Sequence, residues 1–202
     1  MRKLKLQVQM SVDGFIAGPN DEMDWMTGDW DNALKEYVTT LTDPVDCIIL
    51  GRKLAEGFIP YWAGVAGDPS NPETASGKMF TDIPKVVITH TLNESPWDNT
   101  VLATGNAVDE VHRLKQQDGG DIIVYGGAEL VSSLIREGLI DEYHLFINPV
   151  AIGGGKPIFA ALSEKQPLTL VHATAFDSGI TVLSYTPRRG EYRGALNVTV
   201  AP

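Results

Sequence analysis

Cysteine is almost absent from this chain of 202 residues, in which Cys47 is the only one. A single cysteine excludes an internal disulfide and a metal site built from cysteines, and it is typical of proteins kept in a reducing cytoplasm. Cys47 lies in a mostly apolar run at residues 45–50, so we expect a buried and unreactive thiol. The 4 histidines are scattered without ligand spacing, so no metal site is predicted.

Long apolar runs and an excess of basic residues are also missing. No run reaches the roughly 18 residues of a membrane-spanning helix, and no apolar segment of a signal peptide follows the basic start. The chain has 26 acidic residues against 16 Lys and Arg, a formal charge of −10, so phosphate backbones should repel it. A nucleotide is not excluded, because one or two local cations and free backbone N–H groups suffice to bind it. We therefore expect a cytoplasmic protein that binds neither nucleic acid nor membrane.

Strand patterns alternate with helix patterns along most of the chain, which indicates an α/β fold. Residues 4–12 alternate between apolar and polar, as in a half-buried strand, whereas residues 64–77 are rich in Gly, Pro, Ser and Asn, as in a surface loop. Further strands are predicted at residues 47–50, 85–89, 101–103, 122–125, 143–150, 168–175 and 180–186. Helices are predicted at about residues 31–41, 107–117 and 128–137, with a short one after Gly51.

This order predicts a mainly parallel central sheet with helices on both faces and an antiparallel C-terminal edge. We assign one domain to residues 1–189. The remaining residues, 190–202, contain alternating Leu196, Val198 and Val200 and are predicted to form a tail or an additional edge strand.

Open α/β sheets bind ligands at the carboxyl ends of their strands, and the first suitable end here is Gly51-Arg52-Lys53. Gly51 lets the backbone approach a ligand closely. Arg52 and Lys53 open the next helix, whose free N–H groups favour an anion. Two interpretations stand: the cations capture a phosphate, including a 2′-phosphate, or they are solvated side chains after a turn.

Paired glycines mark the second strand end, where Gly126 and Gly127 stand between a predicted strand and a predicted helix. Such a turn lets a pyrophosphate sit against the helix N-terminus. The pattern is not G-x-G-x-x-G, so the usual dinucleotide fingerprint is absent and a plain tight turn is the alternative. The candidate cofactor contacts at this turn are Tyr125, Gly126, Gly127, Ala128 and Glu129.

Polar residues follow two further strands. Thr89, His90 and Thr91 end an apolar strand, and they could hydrogen-bond a ribose phosphate or cap the next turn. Asp13 ends the first strand, and a carboxylate in a cleft can hold an amidine or govern a proton. An Asp before Gly is also a common turn former. G-x-S-x-G and G-K-[ST] motifs are absent, which argues against a serine hydrolase elbow and a phosphate loop.

Five segments in order resemble a known family. They read SVDGFIA from Ser11, GR from Gly51, YGGAEL from Tyr125, LIDE from Leu139 and PVAIGGGKPIF from Pro149. They are similar to the reductase domain of bifunctional riboflavin-biosynthesis enzymes, the RibD C-terminal domain, and to its stand-alone relatives. The resemblance covers roughly residues 3–187 and implies the three-layer fold of dihydrofolate reductase.

The resemblance implies an NADPH site and, because related domains are commonly dimers, a homodimer. Gly51 and Arg52 would hold phosphate, and residues 126–129 would surround the pyrophosphate. Thr89, His90 and Thr91 would lie near the adenosine ribose. The segment from Asp13 to Ala17 would border the nicotinamide and the substrate.

Two departures from the riboflavin enzymes bear on the substrate. Tyr125 stands where those enzymes usually carry an acidic residue, and residues 56–62 replace their Asp-Asp-Pro-Arg-Leu segment. Aromatic Phe58, Tyr61 and Trp62 suggest a flatter, more apolar substrate, and Trp25 in an earlier loop is a further candidate substrate contact. Near the place of the substrate-binding acid of dihydrofolate reductase lie Asp29 and Asp31, either of which could instead cap a helix.

The leading hypothesis is an NADPH-dependent reductase of a small heterocyclic substrate, pterin-like or pyrimidine, or of a small carbonyl compound, with Asp13 and Asp31 as candidate catalytic residues. One alternative is 5-amino-6-(5-phosphoribosylamino)uracil reductase. The other is a nucleotide-binding protein without catalysis.

Overall fold

Eight strands form one sheet in the computed structural model, which describes residues 1–28 and 30–188. Their spatial order is β4-β3-β2-β5-β1-β6-β8-β7. The first six strands in this order are parallel, whereas β8 runs antiparallel to both β6 and β7. The strands are β1 Leu4–Ser11, β2 Val45–Gly51, β3 Lys85–Ile88, β4 Thr100–Ala103, β5 Asp121–Val124, β6 Glu142–Asn148, β7 Leu168–Ala175 and β8 Thr181–Pro187. The helices are α1 Asn32–Thr42, α2 Arg52–Gly67, α3 Thr74–Asp82, α4 Ala107–Gln116 and α5 Ala128–Arg136.

Helices cover both faces of the sheet. Ile122 and Val124 of β5 belong to the apolar core beneath α4 and α5, whereas Ile123 belongs to the core beneath α1, α2 and α3. This alternation follows from the two-residue period of a strand, and it makes β5 apolar throughout its buried length. The predicted three-layer α/β/α architecture with an antiparallel C-terminal edge is confirmed. Every helix within the described part of the chain is too short or too polar to span a bilayer.

Strand β1 is buried on both faces, so the prediction of a half-buried strand is wrong. Lys5 and Gln7 are each only 6% exposed. The strand lies in the middle of the sheet between β5 and β6, and α1 covers the face that carries its polar residues. Lys5 is paired there with Asp121 at 2.9 Å, which offsets the cost of burying its charge.

The predicted surface loop at residues 64–77 is also wrong, because helices take up both of its ends. Helix α2 continues through Pro60 to Gly67, and α3 begins at Thr74. A Cβ on Gly77 would lie 2.6 Å from the backbone nitrogen of Ala66. Gly77 therefore lets α3 pack closely against α2, and the exposed connection is confined to the few residues between the two helices.

A polar cluster around the buried His144 extends from Tyr37 of α1 to the surface. The hydroxyl of Tyr37 lies 2.8 Å from Nδ1 of His144, and Nε2 of His144 lies 3.6 Å from a carboxylate oxygen of Glu142. Lys3 pairs with Glu142 at 2.7 Å. The neighbouring His144 and the ammonium group of Lys3 lower the pKa of Glu142 to about 2.

We expect Glu142→Gln to weaken the dependence of stability on acidic pH. A carboxylate whose pKa is depressed in the fold stabilises it above the unfolded pKa and loses that effect as pH falls through the folded pKa. The free energy of unfolding of the natural protein should therefore decline between about pH 4.5 and about pH 2, by about 1–2 kcal/mol from this group after solvent screening.

Urea denaturation at several pH values measures this decline. Glu164→Gln is the control, because Glu164 is an exposed carboxylate before β7. Equal pH slopes for Glu142→Gln and the natural protein would contradict the prediction.

Candidate cofactor and substrate site

The carboxyl ends of β2, β5 and β1 lie side by side in the sheet. Helices α1 and α2, which follow β1 and β2, pack on one face, whereas α5, which follows β5, packs on the other. Connections that leave in opposite directions open a crevice at the strand ends, where open α/β sheets bind their ligands. The end of β5 is therefore the expected centre of the site.

Three glycines form the floor of this crevice, and we call Gly51, Gly126 and Gly127 the glycine cradle. A Cβ on Gly51 would lie 3.8 Å from Cα of Gly127 and 3.9 Å from the carbonyl oxygen of Gly126. Gly126 and Gly127 have φ values of 147° and 89°, in the region that favours glycine. The two turns thus meet backbone to backbone.

Two helices begin at the cradle without a side-chain cap. Gly51 is the N-cap residue of α2 and Gly127 is the N-cap residue of α5, and neither offers a side-chain acceptor. The first N–H groups of a helix need partners, and an anion is a suitable one. Ala128 and Glu129, which were predicted to contact a cofactor, form the first turn of α5.

The predicted phosphate-binding cations are both paired with carboxylates. Arg52 lies 2.5 Å from Glu56 one turn further along α2. Lys53 lies 3.1 Å from Asp21, which belongs to the loop after β1. Arg52 and Lys53 therefore lie beside the cradle, and a phosphate would have to compete with the carboxylates of Glu56 and Asp21 for them.

The ring of Tyr125, the residue before the paired glycines, packs against the aromatic core. Its ring stacks on Phe58 at 5.2 Å and contacts Phe80 edge-on at 5.8 Å. Burial raises the pKa of Tyr125, and within the described residues its buried hydroxyl has no hydrogen-bond partner. Trp62 joins the same aromatic group, 4.5 Å from Phe80. Phe58 and Trp62 pack α2 against α3, and their contact with a substrate stays a prediction.

Asp13 ties two loops together. Its carboxylate accepts hydrogen bonds from the backbone nitrogens of Gly153 at 2.7 Å and Ile152 at 3.2 Å. The hydroxyl of Ser11 and these N–H groups lower the pKa of Asp13. A carboxylate held ionised in this way favours the turn-former interpretation, and it does not fit a general acid near neutral pH.

The segment that ends at Ala17 runs alongside the glycine-rich connection after β6. Ile16 donates to the carbonyl of Lys156 at 3.0 Å, and Lys156 donates to the carbonyl of Ala17 at 2.8 Å. A Cβ on Gly155 would overlap the carbonyl oxygen of Ala17 and lie 3.0 Å from Cβ of Phe15. From the sequence, this connection was recognised only as part of the family resemblance, and Lys156 and Gly155 were missed, although the run GGGKP was a signal for close backbone approach.

The other polar candidates have structural partners. The hydroxyl of Thr89 accepts hydrogen bonds from the backbone nitrogens of Thr91 and Leu92, both at 3.2 Å. These bonds agree with the interpretation that Thr89 caps the next turn. His90 contacts the carbonyl of Thr104 at 3.2 Å. These contacts leave a role near a ribose as a prediction.

Asp31 is the N-cap of α1. Its carboxylate accepts from the backbone nitrogen of Leu34 at 2.8 Å and from that of Ser178, in the β7–β8 turn, at 3.0 Å. Both oxygens are engaged, so the capping interpretation describes this residue, and Asp29 lies outside the described residues. The indole nitrogen of Trp25 donates to the carbonyl of Glu22 at 3.1 Å. No group of three His, Cys, Asp or Glu suited to a metal ion occurs in the part of the chain that the structure describes.

The sheet order and the helices on both faces give the chain the α/β fold of dihydrofolate reductase. The chain belongs to the RibD C-terminal domain family, which it matches over residues 2–182. It is similar to the uncharacterized protein YyaP of Bacillus subtilis (strain 168), with 32% identity over 186 residues, covering 91% of this chain and 94% of that protein.

Two solved structures share the fold at low sequence identity. One is described as a riboflavin biosynthesis protein of Shewanella sp. PV-4, with a TM-score of 0.69, 22% identity, and coverage of 94% of this chain and 100% of that chain. The other is dihydrofolate reductase from Enterococcus faecalis in complex with NADP(H). It has a TM-score of 0.61 and 14% identity, with coverage of 93% of this chain and 97% of that chain.

We expect Gly155→Ala to lower the free energy of unfolding by about 1–3 kcal/mol, because its methyl group would force apart two loops that are hydrogen-bonded along their backbones. Gly154→Ala is the matched control, since a Cβ on Gly154 would meet nothing within 4 Å. Urea denaturation measures both variants. Equal stability of the two variants would show that the loops separate at no cost.

Proposed function

We propose that the protein is an NADPH-dependent reductase that transfers a hydride to a small heterocyclic substrate, pterin-like or pyrimidine. The observation that carries this proposal is the glycine cradle, at which the uncapped N-termini of α2 and α5 meet. Membership in the RibD C-terminal domain family and the dihydrofolate reductase fold, which holds NADP(H) in the Enterococcus faecalis protein, support the same class of reaction.

The residues present fit a dinucleotide. The cradle lets a pyrophosphate approach two backbone turns, and the first N–H groups of α2 and α5 would bind its oxygens. Arg52 would bind the 2′-phosphate, and the backbone of Ala17 would border the nicotinamide ring. The cofactor supplies the hydride, so the work of this chain is to position the substrate and exclude water.

The position of Tyr125 bears on the riboflavin-pathway alternative. Its ring packs against Phe58 and Phe80 in the core. The acidic side chain that the riboflavin enzymes usually carry at this position would lose that packing. The residues that replace the Asp-Asp-Pro-Arg-Leu segment also lie within α2, on the aromatic contact with α3. These contacts favour a substrate without a ribose phosphate.

The proposal is tested by following NADPH oxidation by absorbance across a panel of pterins, pyrimidines and quinones. Turnover of a pterin or of an unphosphorylated pyrimidine supports it. Turnover of the phosphoribosylamino pyrimidine alone would instead assign the riboflavin-pathway reaction. Tight NADPH binding with no turnover of any member would favour a nucleotide-binding protein without catalysis.

We predict that NADPH binds more tightly than NADH, and that Arg52→Ala removes most of the difference. A charge-assisted contact with a phosphate contributes about 1.5–3 kcal/mol, and the competing pair with Glu56 places the loss near the lower end, about tenfold in the dissociation constant. Isothermal titration calorimetry measures both cofactors.

Arg113→Ala is the matched control for this variant. Arg113 also forms an ion pair within its own helix, with Glu110 at 2.6 Å, but it lies on α4. Equal affinities of the natural protein for NADPH and NADH would contradict the prediction, as would an equal effect of Arg52→Ala on both cofactors.

We also propose a homodimer formed through the C-terminal strands. Strand β7 is one of the two edge strands of the sheet, and its apolar Leu170 and Val171 are 53% and 47% exposed. Exposed edges of this kind are liabilities unless they are paired or covered. The predicted tail at residues 190–202 lies outside the described residues and stays a prediction, as does a cytoplasmic location.

Light scattering on the intact chain and on a chain stopped after Arg189 tests the dimer. We expect twice the single-chain mass of 21.9 kDa for the intact protein at micromolar concentration. A monomeric mass would contradict the dimer, and a dimer that survives truncation would remove the tail from it.

A further inference from the structure

A single carboxylate is bound by two lysines at the edge of the glycine cradle. Lys53, the second residue of α2, lies 3.1 Å from one oxygen of Asp21. Lys156, from the connection after β6, is paired with the other oxygen. The two lysines come from opposite sides of the crevice, because the backbone of Lys156 is hydrogen-bonded to the loop after β1, whereas Lys53 follows β2.

Asp21 holds its loop across the end of β5. The loop leaves β1, reaches the start of α2, and β5 lies between these two strands in the sheet. Asp21 has a φ of 71°, in the left-handed region that a residue other than glycine seldom adopts. Its backbone nitrogen donates to the carbonyl of Gly18 at 3.2 Å, and Gly18 donates to the carbonyl of Glu22 at 2.8 Å.

The two ammonium groups form a receptor for an oxyanion. They bind both oxygens of one carboxylate, and a phosphate presents the same acceptor atoms with more charge. The adjacent N-terminus of α2 adds uncapped N–H groups, which also favour an anion. The ammonium groups of Lys156 and Lys53 lower the pKa of Asp21, so the carboxylate is ionised and competes for this position at neutral pH.

We propose that Lys53 and Lys156 form a phosphate-binding pair that Asp21 occupies in the absence of ligand, and that a phosphate group displaces Asp21 when it binds. Asp21 thereby acts as an internal competitor whose release frees the loop at residues 18–28 from α2. For its physiological ligand, this inference rests on the proposed cofactor site, because a pyrophosphate over the cradle would lie beside both lysines. A phosphate of the substrate is the other source of the same chemistry.

Asp21→Asn tests the competitor directly. Asparagine has the same shape, tolerates a positive φ, and carries no charge to hold the lysines. The two ion pairs of Asp21 are exposed and each is weak. The form in which Asp21 is released from both lysines should therefore make up about a tenth to a fifth of the natural protein. We expect inorganic pyrophosphate to bind Asp21→Asn about five- to tenfold more tightly than the natural protein, by isothermal titration calorimetry.

Two further variants make the test specific. Asp24→Asn removes the same charge from the same loop, and among the described residues Asp24 forms no ion pair. The affinity of the Asp24→Asn variant for pyrophosphate should therefore stay within about twofold of that of the natural protein. Adding Lys156→Met to Asp21→Asn should abolish the gain in affinity. Circular dichroism and thermal unfolding show whether each variant is folded.

The outcomes separate this inference from the proposed function. A gain for Asp21→Asn with both pyrophosphate and NADPH supports the pair as a cofactor site, and a gain with pyrophosphate alone supports it as a site for a substrate phosphate. Failure of NADPH to bind any variant would remove the proposed cofactor, while a pyrophosphate gain would still support the lysine pair. Equal pyrophosphate affinities of Asp21→Asn and Asp24→Asn, or a gain that survives Lys156→Met, would overturn the inference.

Discussion

The close approach of two backbone turns, at Gly51 and at Gly126-Gly127, is the contact on which the geometry of the site depends. A Cβ on Gly127 would lie 3.7 Å from Cα of Gly51, so the turns already touch without side chains between them. This contact brings the starts of α2 and α5 together, although the two helices pack on opposite faces of the sheet. Two sets of free N–H groups therefore point towards one region, which neither helix could achieve alone.

Short polar side chains after the strands mainly satisfy backbone groups. Asp13 accepts from Ile152 and Gly153, Asp31 accepts from Leu34 and Ser178, and the hydroxyl of Thr89 accepts from Thr91 and Leu92. Buried and half-buried N–H groups at loop turns need acceptors, and these residues supply them. These side chains are already engaged, so the proposed cofactor contacts fall to the backbone of the cradle and to the cations around it.

The cations near the site are all held by carboxylates in this acidic chain. Arg52 is paired with Glu56, and Asp21 is shared by Lys53 and Lys156. Pairs at exposed positions contribute little to stability, so they can be exchanged for a ligand anion at small cost. In the proposed site, a chain with a formal charge of −10 would present a local group of cations that is released from its carboxylates when a stronger anion binds.

From the sequence alone one could predict every strand, three of the five helices, the hairpin at the C-terminal edge and the family, because apolar periodicity and glycine turns are local signals. The length of α2 and the existence of α3 could not be predicted, because their small residues resemble those of a loop. The sequence also located Gly51, Gly126 and Gly127, whose role depends on the absence of a side chain. Only the tertiary structure decided which polar residues are buried, since Lys5 and Gln7 depend on neighbours far along the chain. The same holds for Tyr125, whose ring turns into the core, and for Asp21, Lys53 and Lys156, which converge from three separate segments. Long-range contacts of this kind leave no periodic trace in the sequence, because the distance between two side chains is set by how the elements pack.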